Sequence, residues 1–283
     1  MIKDLKHGDL FEDSLYIYEK ELVSTGKNPY LKLKGKNINV DTPVMFFNWD
    51  LSDLQDIFDY IENNKFVTIS GIFESTDRYK NIKCEDIQFI DNPDINYFYK
   101  SCKKPLAQML VELDNYINML QDEKVRSMVH SLIGKSGVYH NEYITMSAAK
   151  RNHHAYKHGL LEHSLEVANL TLVMSELNLE LNKDILIASA LLHDLGKIFE
   201  LQEIAENVYD YSELSKLISH IAYGSNLIFY HCKLNDVSKE LENHIIHCIL
   251  SHHARLEHGS PVEPKTKEAW LVHNADKTSA CLN

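Results

Sequence analysis

The chain has 283 residues, 44% hydrophobic and 25% charged, with a formal net charge of −12; this allows one large domain or two ordinary ones and excludes a broad basic surface for duplex nucleic acid, though not a local basic groove. Five scattered cysteines with no C-x-x-C pair exclude a disulfide framework and a thiolate zinc site. The opening Met1-Ile2-Lys3-Asp4-Leu5-Lys6 runs into charge rather than an apolar leader, and no stretch approaches the ~20 apolar residues that span a bilayer, so the expectation is a cytoplasmic protein with no membrane partner.

Residues 1–92 read as β-rich. Leu15-Tyr16-Ile17-Tyr18, Tyr30-Leu31-Lys32-Leu33-Lys34, Pro43-Val44-Met45-Phe46-Phe47-Asn48-Trp49, Phe66-Val67-Thr68-Ile69-Ser70-Gly71-Ile72-Phe73 and Ile87-Gln88-Phe89-Ile90 have strand composition. Turn signals at 24–29 and 75–77 separate them. Residues 52–61 have helical spacing at Leu54, Ile57, Phe58 and Ile61, with Ser52 as the expected cap. Five strands with a helix between the third and fourth is the order of an OB-fold barrel. Lys32, Lys34 and Lys36 alternate with Leu31 and Leu33 and so share one strand face, the kind of surface on which such barrels hold single-stranded nucleic acid. The competing reading is a solvated strand face or edge protection.

Asp91-Asn92-Pro93-Asp94 reads as a boundary and 93–104 as a linker. From 105 to 283 the pattern is almost wholly helical, with helices expected at about 105–121, 123–134, 160–178, 183–199, 212–232, 236–251 and 264–281. The fold class is therefore α+β in two domains, a five-stranded barrel followed by an all-α domain.

All 16 histidines except His7 lie at or beyond His130. His163 shares an apolar helix face with Val167, Leu170 and Met174. Ala190-Leu191-Leu192-His193-Asp194-Leu195-Gly196-Lys197 delivers a histidine and an aspartate side by side, with Lys197 a turn beyond His193. His220 sits among apolar neighbours, His252 and His253 end a helix bearing Ile245, Ile246, Ile249 and Leu250, and Asp276 lies on an apolar final helix. Any one of these is ordinary. Five helices each turning such a group inward is not, because an unpartnered buried polar group costs stability. Mixed imidazole and carboxylate ligands suit manganese, iron, cobalt, nickel or zinc, and seven groups suit two ions sharing the Asp194 carboxylate better than one. A single ion held by His163, His193, Asp194 and Asp276 is the conservative form.

His…His-Asp…Asp across helices resembles the HD-domain metal-dependent phosphohydrolases, and His220 with the His252-His253 pair resembles their two-metal branch. More closely, Asn152-His153-His154-Ala155-Tyr156, Gly159-Leu160-Leu161-Glu162-His163, Leu192-His193-Asp194-Leu195-Gly196-Lys197, Leu250-Ser251-His252-His253 and Gly259-Ser260-Pro261 are similar to the YhaM-type bacterial 3′–5′ exoribonucleases, which join an OB-fold to an HD domain. The barrel half departs from that family in lacking an Asp-x-Thr-Gly turn after the second strand. The helical half has Ala254 where a glycine commonly follows the paired histidines, and it lacks the Gly-Tyr-Pro element of cyclic-dinucleotide phosphodiesterases.

The resemblance implies a 3′–5′ exonuclease that releases nucleoside 5′-monophosphates from RNA or single-stranded DNA, with two manganese ions as the expected cofactor. In that scheme His163, His193, Asp194, His220, His252, His253 and Asp276 are the ligands, with Asp194 and Lys197 catalytic. Lys197 would contact a phosphate oxygen, or else simply meet the end of a helix dipole. Arg151, His153, His154 and His158 would meet the substrate backbone or the terminal nucleotide, unless they form a solvated loop. Two alternatives stand beside this: an HD-type phosphohydrolase or phosphodiesterase of small nucleotides, and a non-catalytic nucleic-acid-binding, replication-associated protein. The oligomeric state, a homo-oligomer included, is open.

Overall fold

The computed structural model describes residues 4–24, 28–61, 65–102, 104–150, 153–177, 180–205 and 207–282. They form two compact units, 1–100 and 101–283.

In the first unit, β1 (Leu10–Val23), β2 (Tyr30–Lys36), β3 (Asp41–Phe47), β4 (Phe66–Ser75) and β5 (Lys80–Phe89) close into a barrel in the order β1-β2-β3-β5-β4. β1 pairs antiparallel with both β2 and β4, and β3 closes on β5 in parallel. Helix α1 (Leu51–Tyr60) lies between β3 and β4 in the chain. This is the OB-fold order. Leu15, Leu31, Leu33, Val44, Phe46, Val67, Ile69 and Ile82 fill the interior, as the period-2 alternation of their strands dictates. The fifth strand begins well before its apolar run, because Ile82 and Cys84 also point inward. The cap of α1 is Asp50 rather than Ser52, and it makes no side-chain capping bond. Within the stretch read as a linker, α2 (Ile95–Phe98) sets Phe98 edge-on to Phe66, with ring centroids 4.9 Å apart.

The β2 lysines stand on the outer face, but they are not bare. Lys34 Nζ is 2.6 Å from Glu19 and Lys32 Nζ is 3.4 Å from Glu21, each its registered partner across β1. Lys36 lies over the Tyr99 ring at 5.6 Å, and burial pulls its ammonium down to about 8 against the opposing effect of Asp41.

The second unit is built from α3 (Leu106–Met119), α4 (Glu123–Ile133), α5 (His140–Thr145), α6 (Gly159–Ser175), α7 (Lys183–Leu192), α8 (Lys197–Glu200), α9 (His220–Leu234), α10 (Lys239–Ser251) and α11 (Lys267–Leu282) around one apolar core. Every residue of α7 from Asp184 to Leu192 is buried, the mark of a helix enclosed on all sides. The Asp184 carboxylate accepts the amides of Gln121 and Asp122 at 2.8 and 2.7 Å, tying the α3–α4 turn to that central helix.

The helical expectation is departed from in several places: the helix expected over 212–232 begins only at His220, after a 3-10 turn at Leu214–Lys216, and α5 lies where none was expected. The stretch expected as one helix over 183–199 breaks after Leu192, where Leu195, Lys197 and Ile198 donate to carbonyls three residues back, a tighter winding than an α-helix. Residues left unassigned around 200–211 form a hairpin, β6 (Leu201–Ala205) with β7 (Val208–Tyr211). No helix among the described residues is long and apolar enough to cross a membrane.

Candidate metal centre

Five helical elements bring seven groups to one place. His163 comes from the second turn of α6, and His193 caps the C-terminus of α7 with Asp194 following in the tight turn. His220 opens α9 behind its Ser219 cap, His252 caps α10 with His253 next, and Asp276 comes from α11. Gly196 permits the approach of α9: a Cβ there would lie 2.0 Å from the His220 carbonyl oxygen.

Among the described residues two sets of ligand atoms lie close enough to hold an ion: His163, His193 and Asp276, and His220, His252 and His253. Asp194 stands between them. Its Oδ2 is 3.6 Å from His163 Nε2 and 3.3 Å from His193 Nε2, while its Oδ1 is 3.5 Å from His220 Nε2 and 3.6 Å from His252 Nε2. Asp276 Oδ1 completes the first cradle, 3.1 Å from His163 Nε2 and 3.8 Å from His193 Nε2.

The imidazoles are oriented from behind. His193 Nδ1 donates to the Ala190 carbonyl at 2.8 Å, His252 Nδ1 to Ile249 at 2.7 Å and His253 Nδ1 to His258 at 2.9 Å. His220 Nδ1 donates to Glu200 at 2.9 Å. Ser279 Oγ donates to Glu166 at 2.7 Å and so accepts from His163 Nδ1 at 3.0 Å. These bonds fix the tautomer, leaving a lone pair on the opposite nitrogen of each ring. His163 Nε2 and His193 Nε2 thus face each other across 3.2 Å, close enough to share one cation or, when His193 is protonated, one proton. In the other cradle, Asp194 Oδ1, His220 Nε2 and His252 Nε2 are buried without a hydrogen-bond partner. Buried polar atoms rarely go unsatisfied, and a divalent ion in each cradle would satisfy all of them. The donor set fits a divalent transition metal.

The electrostatics favour the same occupant. Burial pushes His163 and His253 down to about 4, so both are neutral, lone-pair donors at neutral pH. Burial also lowers His252. His193 is raised in spite of burial, through Asp194. Burial would raise the Asp194 carboxyl, but Lys197 and then His193 hold it well below the usual carboxylate range; Asp276 is held low against burial by the adjacent His163 and His193. Lys197 Nζ sits 2.6 Å from Asp194 Oδ2, and despite burial Asp194 keeps its ammonium raised.

The centre floors an open cleft of about 1340 Å³. Of the residues read from sequence as substrate contacts, His153 lines it, its ring 5.7 Å from that of His163. His154 is instead buried behind the centre with Nε2 3.2 Å from Glu166. His158 turns its Nδ1 onto the Ile144 carbonyl as the left-handed residue ahead of α6, so neither is among the cleft-lining residues. Arg151 lies outside the described residues. Lys32, Lys34 and Lys36 belong to the barrel unit and are not part of this cleft.

Two histidines outside the motifs read from the sequence, His258 and His273, also line the cleft. The buttresses Glu166, Ser279 and Glu200 were missed, though each stands three residues from a reactive group on the same helical stretch (His163, Asp276 and Lys197), a spacing that shares a face. Glu200 is held low, against burial, by its bond from His220.

Residues 160–281 match the family described as HD domain. That span begins at α6, ends in α11 and contains all seven converging groups.

Proposed function

We propose that this HD domain, of a metal-dependent phosphohydrolase family, makes the chain a 3′–5′ exonuclease that hydrolyses phosphodiester bonds of RNA or single-stranded DNA to nucleoside 5′-monophosphates. The observation that carries the hydrolytic reading is the Asp194 carboxylate, which turns one oxygen to each of two imidazole-lined cradles. Direction and substrate rest on the likeness of the sequence motifs to the YhaM-type enzymes, and the barrel ahead of the helical unit supports it.

His163, His193, Asp194 and Asp276 would hold one divalent ion and His220, His252, His253 and Asp194 the other, with manganese as the proposed metal. Such a pair, when bound, supplies a water of lowered pKa and a Lewis-acid clamp on the phosphate. The chain's own part is to orient and to neutralise. The backbone carbonyls behind His193, His252 and His253 lock those rings, so little reorganisation accompanies the reaction. Lys197, held charged at the cleft floor, is placed to offset negative charge growing on a phosphate oxygen. His153 flanks the same floor as a hydrogen-bonding group whose charge is suppressed by burial and by Lys197. In this scheme the barrel is a second holding site for the single strand.

The test is Asp194→Ala. Elemental analysis of the wild type purified without chelators should find two transition-metal equivalents per chain, falling below one in the variant. Release of monophosphate from a single-stranded oligonucleotide should drop by more than about a thousandfold, as the loss of several kcal/mol of transition-state stabilisation requires. A folded variant of undiminished activity sinks the assignment. Loss of label in the first turnover from the 5′ end rather than the 3′ end reverses the direction.

A further inference from the structure

Above the cradles the cleft is walled by two solvent-facing aromatic rings, a feature the hydrolytic chemistry does not require. Along α11, Trp270, His273, Lys277 and Ala280 line it at spacings of three and four residues, one continuous helix face that also carries Asp276. From the hairpin, Tyr211 supplies another wall. Trp270 is 48% exposed and Tyr211 53%, so each leaves much of an apolar ring in water where an occupant could cover it.

Both rings are held in place. Lys150 forms an ion pair with Asp210 and stands 5.5 Å from the centroid of Tyr211. Trp270 packs edge-on to His273, with centroids 5.9 Å apart, and His273 Nδ1 donates at 2.6 Å to the carbonyl of His252. The tryptophan is thereby tied, through one intervening ring, to the backbone of a metal-cradle residue.

The polar groups of the cleft narrow the occupant further. Its described lining holds lysines, an arginine, imidazoles and carboxylates, but no Asn, Gln, Ser or Thr. The side-chain amides that commonly read adenine by its edge are missing from that lining. The two rings offer a ring face, which every base shares.

We propose that Trp270 and Tyr211 form a base-stacking subsite that seats the nucleobase of the nucleotide whose phosphate lies at the Asp194 centre, recognising the flat face of any base. The proposal deepens the phosphodiesterase reading and rests on it for where the phosphate lies. It implies binding that tolerates base identity, tightens from pyrimidine to purine with stacking area, and fails for a sugar phosphate without a base.

The chain has two tryptophans, so in a Trp49→Phe background Trp270 is its own reporter. Manganese-loaded full-length protein is titrated with adenosine 5′-monophosphate, cytidine 5′-monophosphate and ribose 5-phosphate, following tryptophan emission and, independently, binding heat. Both nucleotides should quench Trp270, adenosine the more tightly. Ribose 5-phosphate should bind roughly tenfold more weakly, or more weakly still, and leave the emission unchanged, since stacking on an aromatic side chain contributes ~1–3 kcal/mol per base. Trp270→Leu should lose about tenfold in adenosine monophosphate affinity at unchanged metal content, and Trp270→Phe should keep most of it. Equal affinity for the nucleotide and ribose 5-phosphate overturns the subsite, as does binding without any change in Trp270 emission. The emission arm retains Trp270, so it decides the matter even if Trp270→Leu does not fold. Quenching by nucleotides in a protein that cleaves no oligonucleotide would uphold the subsite while refuting the exonuclease reading.

Discussion

At the scale of single residues, the centre is a set of imidazoles gripped from one side so that the other side is bare. Desolvation makes such a ring a good ligand, because the proton that would compete for its lone pair is disfavoured. The same desolvation has a cost in acid. His163 and His253 take up a proton only near 4 in the folded chain, against an ordinary value of 6.5. Between those values the unfolded chain binds more protons, so stability that is complete above about pH 6.5 is lost as the pH falls toward 4. The depressed carboxyls of Asp194 and Asp276 extend the loss at still lower pH; His193, raised by Asp194, works in the opposite direction and blunts it. For chelator-treated protein, the urea midpoint should therefore decline between pH 7 and 5, and less steeply in His253→Asn. A midpoint that rises on acidification over that interval contradicts this account.

At the scale of elements, the junction of α7 and α8 does the placing. Its apolar run reads as one continuous helix, and nothing in the types of Leu192 to Lys197 announces the tighter turn that swings Asp194 between the cradles. That turn depends on packing, with Gly196 against the first residue of α9. Gly196→Ala would press a methyl group into the His220 carbonyl and push α9 away. We expect the imidazole cradle to empty first: metal content should drop from two equivalents toward one, with a loss of a few kcal/mol in stability for overpacking. An unchanged metal content shows that the spacing of α9 is unimportant.

The His252-His253 bend offers a smaller case. Ala254 has a φ of 61°, a left-handed backbone better suited to the glycine that the family resemblance leads one to expect there. The inward histidines and Asp276 were legible because burial of such groups needs a partner. The hairpin at Leu201–Tyr211 was not, since its short alternation sits between strong helical patterns. Glu166 and Ser279 were hidden for a different reason, as residue types common on any helix.

For the whole molecule, the barrel and the helical unit were distinguishable in the sequence by the change from a period of two to one of about 3.6 residues. How the barrel's charges are arranged was not, because cross-strand pairing depends on register. Alternation puts Lys32 and Lys34 on one face but leaves unstated that Glu21 and Glu19 stand opposite them. That face consequently behaves as an ion exchanger: a polyanion gains these ammonium groups only by evicting a resident acid, so attraction at a distance is muted and contact is sensitive to the counter-charge already present. Replacing both acids, Glu19→Gln with Glu21→Gln, should tighten binding of a long single strand and steepen its logarithmic salt dependence by about 1.4 for two newly freed cations. An unaltered slope would mean that the strand runs elsewhere.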